Sequence, residues 1–283
     1  MGSDMLDGFE DGYAQVNGIR LHYVVGGEGA PLVLLPGWPR TWWQFHKVMP
    51  ILARRYRVIA VDLRGMGGSD KPEGGYDKKT MASDVHELVR SLGHDRVGIA
   101  GEDIGSMVAF SFAANHPEAT TKLALWEPGH PDESFRSFPL LPTAAGPNLW
   151  WFAFNQVEGL PEKLLAGRFR LVVDWLIDYM GTPPDAIDER SRAVYAEAYD
   201  QPGAVRAANR WYQAFHDDIE DAKEYPVLGM PVLGMGGIYF PFVKALTEGR
   251  AWDTRFVEFP GAGHYLSEER PEDLARELTA FFG

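Results

Sequence analysis

Apolar residues in this chain come first in short bursts, then at helical spacing, then in bursts again. Tyr13-Ala14-Gln15-Val16 and Ile19 to Val25 flank Asn17-Gly18, which predicts two strands joined by a tight hairpin turn. Pro31-Leu32-Val33-Leu34-Leu35 and Val58-Ile59-Ala60-Val61-Asp62 are nearly continuous apolar runs. Strands covered on both faces read this way, because neither face meets water. Trp43 to Ala53, between these runs, predicts a helix. Thr80 to Leu92 predicts another, with Met81, Val85, Leu88 and Val89 on one side. Val97-Gly98-Ile99-Ala100 is a further short strand, followed by a long apolar, Ala-rich stretch. Alternating strands and helices of these lengths imply a mostly parallel, covered sheet.

The pattern changes after Lys122-Leu123-Ala124-Leu125-Trp126-Glu127. Residues 128 to about 148 are rich in Pro, Gly and Ser, which disfavours regular structure. Residues 149 to about 224 have helical, aromatic character and no long β-branched run. The stretch from Pro226 to Gly237 restores the strand pattern, Phe256-Val257-Glu258-Phe259 follows, and Arg270 to Phe282 predicts a closing helix. The expected organisation is a core at 1–127 and 226–283, interrupted by a helical cap at 128–225.

With 283 residues and 45% apolar content, the chain can bury a large core. Its net charge of −13 argues against nucleic acid or an anionic membrane surface as a partner. The absence of cysteine excludes disulfides, a thiol nucleophile and thiolate metal sites. The N-terminus, Met1 to Asp7, is acidic and lacks an apolar signal core. No apolar run approaches the roughly 18 residues of a membrane span. A cytoplasmic location is therefore the expectation. The glycines at 62–69 do not form a phosphate or dinucleotide fingerprint, and neither a cofactor nor a metal is implied. A homodimer is left open.

The chemistry concentrates in Gly101-Glu102-Asp103-Ile104-Gly105, placed after a strand and before a helix. That is the setting of a nucleophile elbow, whose central residue is commonly serine. An aspartate there can attack an sp3 carbon and form an alkyl ester, which water must later cleave. This points to opening an epoxide or displacing a halide rather than to ordinary ester hydrolysis.

Five motifs occur in a telling order: Pro36-Gly37-Trp38-Pro39, Asp62 to Ser69, Gly101 to Gly105, Trp211-Tyr212 and Gly261-Ala262-Gly263-His264. On them the chain resembles the α/β-hydrolases of the epoxide hydrolase and haloalkane dehalogenase group, over essentially its whole length. The resemblance implies an α/β fold with an inserted cap. It makes Asp103 the nucleophile and His264 the base that activates water. The acid behind His264 is commonly an aspartate after the strand at 231–235, but Gly236-Gly237-Ile238-Tyr239 stands there. Glu127, at the end of the preceding strand, is the alternative family position and is chosen here, with Asp253 a weaker candidate. The backbone N–H groups of Trp38 and Ile104 occupy the oxyanion positions. Pro36 replaces a usual histidine, and Pro39 is expected to follow a cis bond as in relatives. Tyr212 corresponds to the tyrosine that protonates an epoxide oxygen. Trp151 replaces a second tyrosine and brings only an N–H donor. Trp150, Phe152, Phe154 and Trp211 are candidate substrate contacts. Tyr195 and Tyr199 are expected to be helix-surface or packing residues.

The expected partners are therefore water and an apolar small molecule, an aryl or polycyclic epoxide. A dehalogenase is the alternative reaction, since it shares the ester and histidine steps. Halide sites often use a tryptophan after the nucleophile, where this chain has Ile104. Fluoroacetate dehalogenases place arginines one and four positions after it, where Ile104 and Met107 stand, and a histidine at Trp150. A non-catalytic ligand-binding protein is the third reading.

Overall fold

The computed structural model describes residues 6–138 and 148–283. Met1 to Met5 and part of the Pro- and Gly-rich stretch after Glu127 lie outside the described residues.

Eight strands form one sheet: β1 (Phe9–Val16), β2 (Ile19–Gly26), β3 (Ala30–Leu35), β4 (Tyr56–Val61), β5 (Val97–Glu102), β6 (Thr120–Trp126), β7 (Val232–Gly236) and β8 (Thr254–Glu258). Their spatial order is β1-β2-β4-β3-β5-β6-β7-β8. β1 pairs antiparallel with β2, and β2 antiparallel with β4. The other neighbours are parallel. This bears out the mostly parallel sheet expected from the unalternating apolar runs. β1 begins earlier than predicted because Phe9-Glu10-Asp11-Gly12 lies on an edge, where polar residues suffice and the hydrophobic signal is weak.

The first helices are α1 (Met49–Leu52), α2 (Lys78–Ser91) and α3 (Ile104–Asn115). The helix expected over Trp43 to Ala53 is instead a single 3-10 turn, Trp42–Phe45, followed by the four-residue α1. Pro50 explains the break: it has no N–H to donate and its ring crowds the preceding turn. α2 starts where Asp77 caps the N–H of Thr80 at 2.7 Å. Every residue of α3 from Ile104 to Ala114 is buried, so this helix lies entirely inside. Each fully buried Val, Ile or Phe there contributes about 1.5–3 kcal/mol.

Between β6 and β7 the described residues contain no strand. They contain α4 (Trp150–Asn155), α5 (Leu160–Leu165), α6 (Arg170–Tyr179), α7 (Glu189–Tyr199), α8 (Ala204–Gln213) and α9 (Phe215–Glu224). The chain ends with α10 (Phe240–Thr247), α11 (Leu266–Glu269) and α12 (Pro271–Phe282). Buried polar ties fix the helical segment to the sheet layer. Lys78 Nζ donates to Asp218 and to Trp211 O, each at 2.7 Å, and Trp211 Nε1 donates to Arg64 O at 2.9 Å. No helix among the described residues is long and apolar enough to cross a membrane.

The topology places the site. The chain proceeds from β3 outward to β4, then returns to place β5 on the other side of β3. The carboxyl ends of β3 and β5 therefore diverge into a crevice, where parallel α/β sheets bind ligands. Pro36 to Trp38 leave β3 at that point, and Asp103 leaves β5.

Candidate active site

β5 ends at Glu102 and α3 begins at Ile104, so Asp103 alone turns the chain. Its φ of 56° and ψ of −122° are strained for an L residue. A Cβ at Gly101 would lie 2.2 Å from Gly105 O, and one at Gly105 would lie 2.0 Å from Leu35 O. The flanking glycines are thus a steric condition of the turn. Asp103 lines a cavity and its side chain is 13% exposed. Its Oδ1 accepts the Trp38 N–H at 2.9 Å, and the Ile104 N–H also donates to the carboxylate. Burial pushes the Asp103 carboxyl up to about 7, against the pull of those two N–H groups and of the Arg40 charge. The Trp38–Pro39 bond is cis, as the resemblance implied.

His264 Nε2 lies 3.7 Å from Asp103 Oδ2, and its Nδ1 lies 3.3 Å from Glu127 Oε2. Burial, helped by the Arg40 charge, holds the imidazole well below its usual range, so it rests neutral and able to take a proton. Glu127 is wholly buried at the end of β6. Burial pushes its carboxyl up, while the N–H groups of Gly237 and Tyr239 favour the ionised form. A side chain at Gly237 is excluded, because its Cβ would lie 2.3 Å from Gly263 O. The strand exit that usually carries the acid therefore donates N–H groups to a glutamate on the neighbouring strand. Asp253 is exposed and sits before β8, its carbonyl accepting from Val232 N at the start of β7. It stands at the opposite end of the sheet from His264.

Tyr212, on α8, is buried, and its ring stands edge-on to Trp38 at 5.6 Å and to Phe152 at 5.3 Å. Its hydroxyl is hydrogen-bonded to the Trp151 side chain. Burial, with the nearby Asp103 charge, raises its pKa well above the usual value, so the phenol keeps its proton. The cavity is lined by Trp38, Asp103, Trp151, Phe152 and His264, all foreseen. It is also lined by Phe138, Leu149, Leu176, Met180, Tyr239, Phe242 and Tyr265, which were not foreseen. Tyr265 follows His264 and Tyr239 follows the β7 exit, so proximity to a motif was the available signal for these two.

Three expected substrate contacts do not line the cavity. Trp150 meets Phe154 and Trp175 edge-on, on a different face of α4 from Trp151. Trp211 turns its indole to Arg64 O, joining the helical segment to the loop after β4. Tyr195 and Tyr199 are fully buried, and their hydroxyls donate to Glu268 Oε1 at 2.8 Å and Arg40 O at 3.0 Å. The Asp62 loop is held by its own carboxylate, which accepts from Trp42 N and Gly68 N. Elsewhere, His86, His116 and Glu118 bring ligand atoms within 4.8 Å of one another. The two imidazoles stack at 3.9 Å with an 11° tilt, so their in-plane lone pairs run side by side rather than converging on one ion.

The chain matches the alpha/beta hydrolase fold family over residues 30–271. It is 36% identical over 280 residues to the soluble epoxide hydrolase of Corynebacterium sp. (strain C12), covering 95% of this chain and 96% of that protein. It is 29% identical to the fluoroacetate dehalogenase of Burkholderia sp, covering 98% and 95%. Among solved structures it is similar to the epoxide hydrolase CorEH without ligand, with a TM-score of 0.82 and 32% identity over 97% of this chain and 98% of that one.

Proposed function

We propose that this chain, an enzyme belonging to the epoxide hydrolase and haloalkane dehalogenase branch of the α/β-hydrolase fold family, opens an apolar epoxide to a diol through an ester on Asp103. The observation that carries this reading is the Tyr212–Trp151 pair. It offers a neutral phenol, steadied by an indole N–H, near the Asp103 carboxylate. A departing alkoxide needs a proton, and a halide does not.

Asp103 Oδ1 is engaged by Trp38 N–H, which leaves Oδ2, on the His264 side, as the attacking atom. Oδ2 forms a bond to one epoxide carbon. The carbon–oxygen bond breaks, its electron pair stays on oxygen, and that oxygen takes the Tyr212 proton. Water then gives one proton to His264 Nε2 as its oxygen adds to the ester carbonyl carbon. The negative charge that develops on Oδ1 is met by the N–H groups of Trp38 and Ile104. Glu127 holds the imidazolium and its tautomer. Collapse expels the diol oxygen, which recovers the proton from His264. The proton left on the Asp103 carboxyl returns to the Tyr212 phenolate, a downhill transfer because the phenol binds protons more tightly.

We read residues 128–225 as the cap and the lining aromatics as a seat for an aryl-bearing epoxide. Apart from Asp103 and His264, the described lining residues carry no carboxylate or cationic group. A haloacid would place its carboxylate there without a counter-charge, which supports the epoxide over the dehalogenase reading. The test is turnover of styrene oxide and of a bromoalkane, with diol and bromide measured. Diol without bromide supports the proposal, and bromide without diol replaces it with dehalogenation.

A further inference from the structure

Next to Asp103 in the chain, and under the cavity-lining Tyr265, lies a buried cluster that the mechanism does not use. Arg40 Nη2 is 3.0 Å from Glu102 Oε1, and Nη1 is 3.7 Å from Glu268 Oε2. The guanidinium lies 4.4 Å from the Tyr265 ring centre. Glu102 also accepts from Gln44 Nε2 at 2.8 Å and from Ser267 Oγ. Gln44 Oε1 in turn accepts the N–H of Gly37 at 2.9 Å.

Each member adjoins a working group. Glu102 precedes the nucleophile. Gly37 precedes the oxyanion donor Trp38, and Arg40 follows it by two residues. Ser267 and Glu268 lie on α11, just after His264 and Tyr265. Pro36 cannot hold the loop after β3 with a side-chain hydrogen bond, so this task falls to Gln44 and the cluster. Neither carboxylate forms a two-pronged hydrogen-bonded fork with Arg40, whose side-chain nitrogens have no aligned acceptor. The ion contacts act chiefly as charge upon charge.

We propose that Arg40 is a positioning residue whose buried charge, balanced by Glu102, holds the nucleophile, oxyanion and histidine loops together and sets the ionisation of Asp103. Two opposed charges thus act on one carboxylate. Arg40 favours its ionised form and Glu102 opposes it. The other titratable groups facing Asp103 are His264, backed by Glu127, and the phenols of Tyr199, Tyr212, Tyr239 and Tyr265. Glu268 faces Arg40, Tyr195, Glu102 and Lys47.

The inference rests on Asp103 being the nucleophile, and the test separates the two. In a His264→Ala background, ester growth on Asp103 with styrene oxide is followed by intact mass across pH, and peptide mapping locates the adduct. Removing the charge with Arg40→Met raises the midpoint of the alkylation rate by about one pH unit, since a nearby opposite charge moves a carboxyl by one to three units. Glu102→Gln lowers the midpoint. Arg40→Lys keeps it near the parent value, because a point charge suffices. The double variant Arg40→Met/Glu102→Gln, which leaves neither charge unpaired, also returns toward the parent. A purely structural role would slow alkylation in the single variants without moving their midpoints in opposite directions. Coincident midpoints with adduct present overturn the inference alone. Absence of any adduct on Asp103 in the parent overturns the nucleophile reading and the inference with it. Should Arg40→Met fail to fold, Arg40→Lys and Glu102→Gln still decide.

Discussion

Replacing Tyr212 by phenylalanine isolates the proposed proton donor. The ring contacts with Trp38, Phe152 and Phe215 need not change, because only the hydroxyl is lost. Two effects then set the magnitude. A positioned general acid contributes about 10²–10⁴-fold to its step. Against this, the Trp151 indole N–H, deprived of its partner, becomes free to donate to the epoxide oxygen. It stabilises developing charge but supplies no proton, which places the expected loss toward 10²–10³-fold, near the lower end of that general-acid range. The orphaned N–H costs about 1–3 kcal/mol of stability where water cannot reach it. Ester hydrolysis uses Asp103, His264, Glu127 and the two backbone donors, so it changes only a few-fold. The assay is rapid-quench single turnover, with ester and diol quantified separately. An equal loss in both steps, or no loss in alkylation, would refute the assignment of Tyr212.

Other outcomes follow from the same geometry. Glu127→Gln removes the charge behind His264 and keeps one oxygen to accept from either the Gly237 or the Tyr239 N–H, which use different carboxylate oxygens of Glu127. Ester should accumulate, with hydrolysis slowed by about 10²–10⁴-fold and alkylation little changed, as pre-steady-state mass spectrometry would record. Adding Gly237→Asp to that variant should not rescue hydrolysis, since a Cβ at Gly237 meets Gly263 O at 2.3 Å; recovered turnover would contradict this. The pKa of Asp103 also sets a stability trend. Folding raises it from 3.8 to about 7, so the folded state binds this proton more tightly than the unfolded chain does. The stability associated with protonated Asp103 is fully present below pH 3.8 and is lost as pH rises to about 7. Asp103→Asn avoids that loss. Its advantage in denaturant melts should be small near pH 4 and grow to at most about 4 kcal/mol above pH 7. An advantage that is constant with pH would count against the raised pKa.

The elbow was legible because its constraint is local: glycines on either side of one residue, a strand before and a helix after. The position of Glu127 beside His264 was legible through the missing carboxylate at Gly236-Gly237, which directed attention to it. The aromatic contacts were less legible because composition does not tell which face of a helix a ring occupies. Trp150 and Trp151 are neighbours in sequence but about 100° apart around α4, so Trp151 lines the cavity and Trp150 packs edge-on against Trp175. Tyr212 and Trp211 part in a similar way: the Tyr212 hydroxyl meets Trp151, just behind the cavity-lining residues, and the Trp211 indole turns to Arg64 O. The Arg40 cluster left no periodic trace at all. Its members are joined across more than two hundred residues of sequence, and polar side chains at such separations carry no signal until the sheet brings their loops together.

The ester mechanism itself is tested most directly by a single turnover in heavy-oxygen water, with enzyme in excess over styrene oxide. Water attacks the carbonyl carbon of the ester, so the first diol should contain no heavy oxygen, and a peptide bearing Asp103 should carry the label. Heavy oxygen in the first diol, with Asp103 unlabelled, would show that water attacks the epoxide directly and would contradict the account.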